Sequence, residues 1–346
     1  MRINSGLLII LVCLTFPLIS AAQTRGGYAP GSRTLMDAHN CYPYFEWWAD
    51  RIDRALSAGT PLAIEQDLAW YTDPKSKKSW SVVSHGSPVT GHEPTIEQYF
   101  FTRIRPIVEK ALHDGNQGDW PLITLNLDFK SEEPEHLATI WSLIQQHREW
   151  LTSAVKTSDE SEVQPLDVRP VLILTGDSDR QKKTFYDEVP VGERLFIFGA
   201  VHTNERDPMA APEVLEPNPA TNYRRWWNNS WHVVERGGQP AAGDWTSDDN
   251  ARLRALVTHA HAKGLWIRFY TLDGAEHPEL SCHGWFSSYN FGSLASAKLR
   301  WAAAAKAGVD YVASDQYEEL AKYLQPEHSL SKSTNHNGWT VAEKRK

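Results

Sequence analysis

The sequence predicts one (β/α)8 barrel, an α/β fold in which eight parallel strands alternate with helices. Three observations lead there. Over residues 30–325, short β-branched runs alternate with longer amphipathic segments, the pattern of a parallel sheet wrapped by helices. The strand-like runs number eight. No GxGxxG follows any of them and no GxxxxGK[ST] occurs, which removes the usual nucleotide-binding reasons for an open, doubly wound sheet.

In chain order the runs are 33–39, 62–68, 81–85, 122–129, 171–175, 195–201, 265–272 and 311–313. Helical periodicity covers 45–57, 96–112, 134–155, 178–187, 247–263, 293–307 and 316–324. Asp248 and Asp249 fall in a first helical turn, and Ala307-Gly308 supplies a C-terminal stop, as dipole and capping preferences favour. From His202 to Trp245 about 44 residues rich in Pro, Asn and Gly contain the cluster Arg224-Arg225-Trp226-Trp227. A connection of that length is expected to be functional, so the reading is a long loop after strand 6, placed as a lid.

The ends differ from the barrel. Residues 1–22 carry Arg2, an apolar run from Leu7 to Ile19 and then Ser20-Ala21-Ala22, the order of a cleavable signal peptide, and predict a secreted or periplasmic protein. Export leaves Cys41 and Cys282 in an oxidising compartment, where a disulfide and two separate thiols both remain open. Residues 326–346 lack apolar periodicity and read as a flexible tail. Lys and Arg total 35 against 43 Asp and Glu, giving a formal charge of -8 with no long basic run, which excludes nucleic acid as a partner. A monomer is expected. Tryptophan is unusually frequent, with 15 residues against 12 Tyr and 11 Phe.

Strand ends carry the chemistry in such a barrel. The first four runs end in AHN, IEQD, SHG and LDFK. Glu65 and Asp67, two apart, share one face of a strand, and Asp128 ends the fourth run with Lys130 two residues on. Three converging carboxylates in a partly buried mouth call for a hard divalent cation with oxygen ligands. His39 and His85 end the first and third runs and suit a reaction that needs one general base and one general acid near neutral pH. Singly, each residue has an ordinary structural reading; Glu65, for instance, is a natural ion-pair partner of Lys130 or Arg268. Their joint placement favours the functional one.

His39, then Glu65-x-Asp67, then a His closing the next run, resembles the phospholipase C-like phosphodiesterase superfamily of glycerophosphodiester phosphodiesterases and phosphatidylinositol-specific phospholipases C. The closing stretch AGVDYVASDQYEELAKYL is similar to the last strand and helix of the former, and HNCY at 39–42 to an HNxY motif of calcium-dependent phosphoinositide enzymes. The resemblance implies His39 and His85 as the acid/base pair, and Glu65, Asp67 and Asp128 as ligands of one divalent cation, Ca2+ or Mg2+. It implies Asn40 as a fourth ligand, Lys130 as a phosphate contact, and Arg268 and Tyr270 as head-group contacts. A small-molecule or lipid phosphodiester would be the substrate. Three departures stand out: Asn40-Cys41 replaces the family's Arg-Gly, Asp128 stands where relatives place Glu, and TDPKSKKS lengthens the path from Asp67 to His85.

Two other readings are carried forward: a barrel glycoside hydrolase working through two carboxylates, and a binding protein with a decayed site. Trp47, Trp48, Trp141, Trp150 and Trp301 fall on predicted helices and Trp266 on a strand, where packing accounts for them. Trp70, Trp226, Trp227, Trp231, Trp245 and Trp285 fall in predicted loops on the face of the site. They read either as a rim touching a lipid interface or head group, or as packing within the lid.

Overall fold

The structure, a computed structural model, describes residues 28–43, 49–86, 88–278 and 286–324. The predicted signal peptide and tail, Trp47, Trp48, Cys282 and Trp285 lie outside them. Eleven strands are described: β1 (Leu35–Ala38), β2 (Leu62–Thr72), β3 (Ser79–Val83), β4 (Ile123–Phe129), β5 (Ala154–Val155), β6 (Val171–Thr175), β7 (Arg194–Leu195), β8 (Ile197–Ala200), β9 (Arg224–Ser230), β10 (Trp266–Tyr270) and β11 (Tyr311–Ser314). Eight of them pair in parallel in the order β1, β2, β4, β6, β8, β9, β10, β11, and the ring closes where Leu35 of β1 lies beside Tyr311 of β11. The predicted (β/α)8 barrel is therefore present.

Its third and sixth members differ from those expected. The run at 81–85 is not a barrel strand. It is β3, which pairs antiparallel with the outer half of β2, Leu68 to Thr72, so that β2 runs out of the barrel into a hairpin. The TDPKSKKS segment makes the turn, where Asp73 Oδ1 accepts from the amides of Lys75 and Ser76. The missing barrel strand lies inside the expected lid. Arg224–Ser230 forms β9 between β8 and β10, so no single long loop spans residues 202–245. Its sequence, RRWWNNS, has no β-branched residue to announce it, yet broad aromatic rings fit a buried pleated surface well.

Helices surround the barrel close to their predicted places, with Thr102–Asp114, Pro134–Gln146, Ser247–Ala262, Leu294–Ala307 and Tyr317–Leu324 the longest. The segment predicted to run helical from 134 to 155 stops at Gln146 and gives way to a short 3-10 turn and β5. Thr246 caps the Ser247–Ala262 helix reciprocally with Asp249. Gly308, at φ 82°, ends the Leu294–Ala307 helix in the left-handed conformation that glycine adopts without a Cβ penalty. No described helix is long and apolar enough to cross a membrane.

Where the strands begin, rings fill the barrel. Tyr28 donates to or accepts from the Tyr311 hydroxyl, lies 5.1 Å from the Trp266 ring and carries the Arg33 guanidinium 4.5 Å from its centroid. Trp226 meets Tyr311 edge to face. Most of the predicted rim is likewise core: Trp226, Trp227 and Trp231 are fully buried, and Trp245 packs against the core beneath Arg300. Trp70 is half-buried and stacks 5.3 Å from His136. Among the described residues, the loop tryptophans supply packing.

Candidate active site

Strand register assembles the carboxylates. In the β2–β4 ladder Glu65 lies opposite Asn126 and Asp67 opposite Asp128. Because alternate residues share a face, the two pairs stack along the barrel wall, and ligand atoms of Glu65, Asp67 and Asp128 fall within 4.8 Å of one another. Lys130 Nζ reaches Asp67 Oδ1 at 2.9 Å and Asp128 Oδ2 at 2.7 Å. Arg268 donates from NH2 to Glu65, from Nε to Asp37 and from NH1 to Asn228 Oδ1 at 3.1 Å. Thus Glu65 pairs with Arg268, while Lys130 serves the other two acids.

The charges do not balance within this cluster. Asp37, Glu65, Asp67 and Asp128 face Lys130, Arg268 and, 3.7 Å from Glu65, His39, so that even with His39 protonated one negative charge lacks a partner. Asp67 shows the cost. Burial, with Glu65 and Asp128 adding repulsion, pushes its pKa up to about 8, and its Oδ2 is buried without a hydrogen-bond partner. Burial works against ionised Glu65 too, but His39, Arg268 and Lys130 outweigh it and hold the group at about 2. An all-oxygen donor set, an orphaned buried carboxylate oxygen and a surplus negative charge fit a hard divalent cation.

His39 follows β1 and is nearly buried. Its Nδ1 donates to Asp315 Oδ1 at 2.8 Å, while Nε2 lies 3.0 Å from Thr271 Oγ1 and 3.7 Å from Glu65 Oε1. Burial disfavours the imidazolium, yet Glu65 and Asp315 overcome it and raise the pKa to about 9. Asp315 is itself anchored by Asn40 Nδ2 at 3.2 Å and by Arg51, and its amide donates to Asp273. Burial and the Asp315 charge push Asp273 up to about 7. His85 is held differently. It lies in the turn after β3, exposed, with its ring 5.8 Å from Tyr42 and 6.2 Å from Phe286. Partial burial, then the Lys130 charge, lower its pKa.

Eight of the nine predicted residues, His39, Asn40, Glu65, His85, Asp128, Lys130, Arg268 and Tyr270, line one pocket of about 340 Å³ at the barrel mouth. The ninth, Asp67, lies beneath Lys130, fully buried. Asn40 adopts φ 51° and spends its amide nitrogen on Asp315. A larger cavity of about 470 Å³ opens among Trp141, Leu151, Arg169 and Phe196, but no predicted residue lines it. Sequence reading missed Asp315, Asp37, Asn126 and Thr271. Asp37 and Asn126 precede His39 and Asp128 by two residues, so the same alternation that singled out Glu65 and Asp67 points to them. It also missed the aromatic wall, where Tyr289 stands 6.2 Å from His39 and 6.3 Å from Phe286.

No protein-family model matches this sequence, and neither does any curated protein. Among solved structures it is similar to a glycerophosphoryl diester phosphodiesterase from Parabacteroides distasonis, with 16% identity over 88% of this chain and 90% of that one, at a TM-score of 0.43. It is also similar to a calcium-dependent phosphoinositol-specific phospholipase C from a Pseudomonas species, with 12% identity over 84% and 92% of the two chains and a TM-score of 0.46. HPPK-DHPS of Plasmodium falciparum gives 8% identity and a TM-score of 0.46, and the match spans 50% of that longer chain.

Proposed function

We propose that the protein is a secreted or periplasmic, metal-dependent phosphoric diester hydrolase acting on a small-molecule or lipid phosphodiester. One observation carries the reading: Glu65, Asp67 and Asp128 converge within 4.8 Å beside Lys130, and both histidines line the same pocket. Ca2+ or Mg2+ held by those three carboxylates would supply charge neutralisation for the phosphoryl oxygens. Lys130 adds a second positive charge at the same point. Asp315 ties down Nδ1 of His39, so that residue exchanges protons through Nε2, on the pocket side. His85 provides the other proton site. One imidazole takes the proton of the attacking hydroxyl, from water or from a neighbouring group of the substrate, and the other protonates the departing oxygen. Tyr270 and the Phe286–Tyr289 wall receive the organic substituents.

The glycoside hydrolase reading fits less well. Its two carboxyl groups must flank a bond, about 5–5.5 Å apart for retention and about 6.5–9.5 Å for inversion, whereas these carboxylates converge on one point beside Lys130.

The test is a panel of glycerophosphodiester, lysophospholipid and phosphoinositide substrates, assayed with and without a chelator. Hydrolysis that a chelator abolishes, and that falls sharply in Asp67→Asn, is expected. Activity on glycosides alone, or diester hydrolysis indifferent to chelator, would overturn the reading. The exported protein is expected to begin after Ala22, which N-terminal sequencing checks.

A further inference from the structure

The two oxygens of Glu65 are treated unequally. Oε2 accepts from both Arg268 NH2 and Asn126 Nδ2, the latter at 3.2 Å. Among the described residues, Oε1 accepts no hydrogen bond and has His39 Nε2 as its cationic neighbour, at 3.7 Å. Arg268 is held in turn, by Asp37 at Nε and by Asn228 at NH1. Five neighbouring residues, one from each of β1, β2, β4, β9 and β10, thus meet in a polar layer directly beneath the mouth. Barrel interiors are ordinarily filled by branched apolar side chains. A buried ion pair is a poor stabiliser compared with such packing, because desolvation offsets much of its attraction. Fold stability therefore does not explain this layer.

We propose that Asp37, Asn126 and Arg268 are positioning residues that commit Glu65 Oε2, leaving Oε1 as a single, fixed ligand atom for the divalent cation. This rests on the metal-dependent reading above. It also gives Arg268 a task other than contact with a head group: each of its three nitrogens already has an acceptor within the protein. Outer hydrogen bonds of this kind typically set metal affinity by about 10–100-fold.

The sign of the effect is diagnostic. A guanidinium beside a cation site repels the cation, so if Arg268 acted only through its charge, Arg268→Gln would bind metal more tightly and Arg268→Lys would leave affinity unchanged. Positioning requires the fork, because a lysine ammonium is one point and cannot bridge Asp37 and Glu65. Both variants should then bind more weakly. Asn126→Ala, which changes no charge, should also lose about 10-fold or more.

The experiment is titration calorimetry of Ca2+ and Mg2+ into the folded full chain, with circular dichroism as the check on folding. Weaker binding in Arg268→Lys and Asn126→Ala, while Thr246→Ala binds as wild type, is the expected result. Unchanged or tighter binding in those two variants overturns the positioning role and leaves the proposed activity standing. Failure of the wild type to bind either ion overturns the metal-dependent reading itself. Should Arg268 variants fail to fold, Asn126→Ala decides alone.

Discussion

The barrel has two unlike sectors. On β10, β1, β2 and β4 the inward positions nearest the mouth are charged or polar: Arg268, Asp37, Glu65, Asp67, Asn126 and Asp128. Across β6, β8 and β9 the wall is mainly apolar and aromatic, with Trp226 and Trp227 buried to the last few per cent. Trp226 donates to the Thr175 carbonyl and Trp227 to Thr203 Oγ1, so even their indole nitrogens serve packing. One sector holds charges in costly positions, and the other supplies bulk. The contrast teaches that residues of similar burial in one barrel can have opposite worth for activity and for stability.

The largest expected effects come from crossing the two measurements. His39→Ala should lower kcat/KM on the responsive diester by roughly 10²–10⁴-fold while the folded protein persists. Trp227→Ala should cost about 3–5 kcal/mol of unfolding free energy in urea, with little change in turnover by the molecules that remain folded. Similar stability losses in both variants would erase the distinction between the sectors.

A smaller effect concerns pH. His136 is buried behind the charged sector, its Nε2 2.8 Å from Ser81 Oγ and its Nδ1 donating to the Ser131 carbonyl at 3.0 Å. Burial lowers its pKa from the ordinary 6.5 to about 4. The unfolded chain therefore binds the proton first. The resulting stability is complete above about 6.5 and is lost as pH falls toward 4, by an amount on the order of 3 kcal/mol. Urea unfolding of wild type and His136→Leu at pH 7 and pH 4.5 checks this; the variant should show the flatter dependence. The smallest effect is expected at the helix that follows β9, where Thr246→Ala removes the cap and should cost about 1 kcal/mol, leaving metal binding unchanged.

Much of the charged sector was legible because it obeys simple alternation. Glu65-x-Asp67 and Asp128-x-Lys130 announced themselves, and seven of the eight barrel strands carried recognisable apolar runs. The aromatic sector hid for a physical reason. In β9 the inward side chains end as Asn228 and Ser230 near the polar mouth, while outward Arg225 is satisfied by the carbonyls of Gln164 and Asn222. Polar residues on both faces resemble a loop. Conversely, the run Ser-Val-Val-Ser-His at 81–85 had the composition of a barrel strand, but its first three residues belong to β3, which pairs with the overhanging end of β2. The partner of His39 escaped because Asp315 lies at the far end of the chain and meets it only when β11 closes onto β1.

The ring cluster around Tyr28 turns the barrel from a pipe into a cup. With Tyr28, Trp226, Trp266 and Tyr311 filling the end where the strands begin, traffic to the carboxylates is confined to the mouth. Under the proposed hydrolase activity, a product lingering at that doorway would occupy the place of the next molecule, and the two would compete for a single berth.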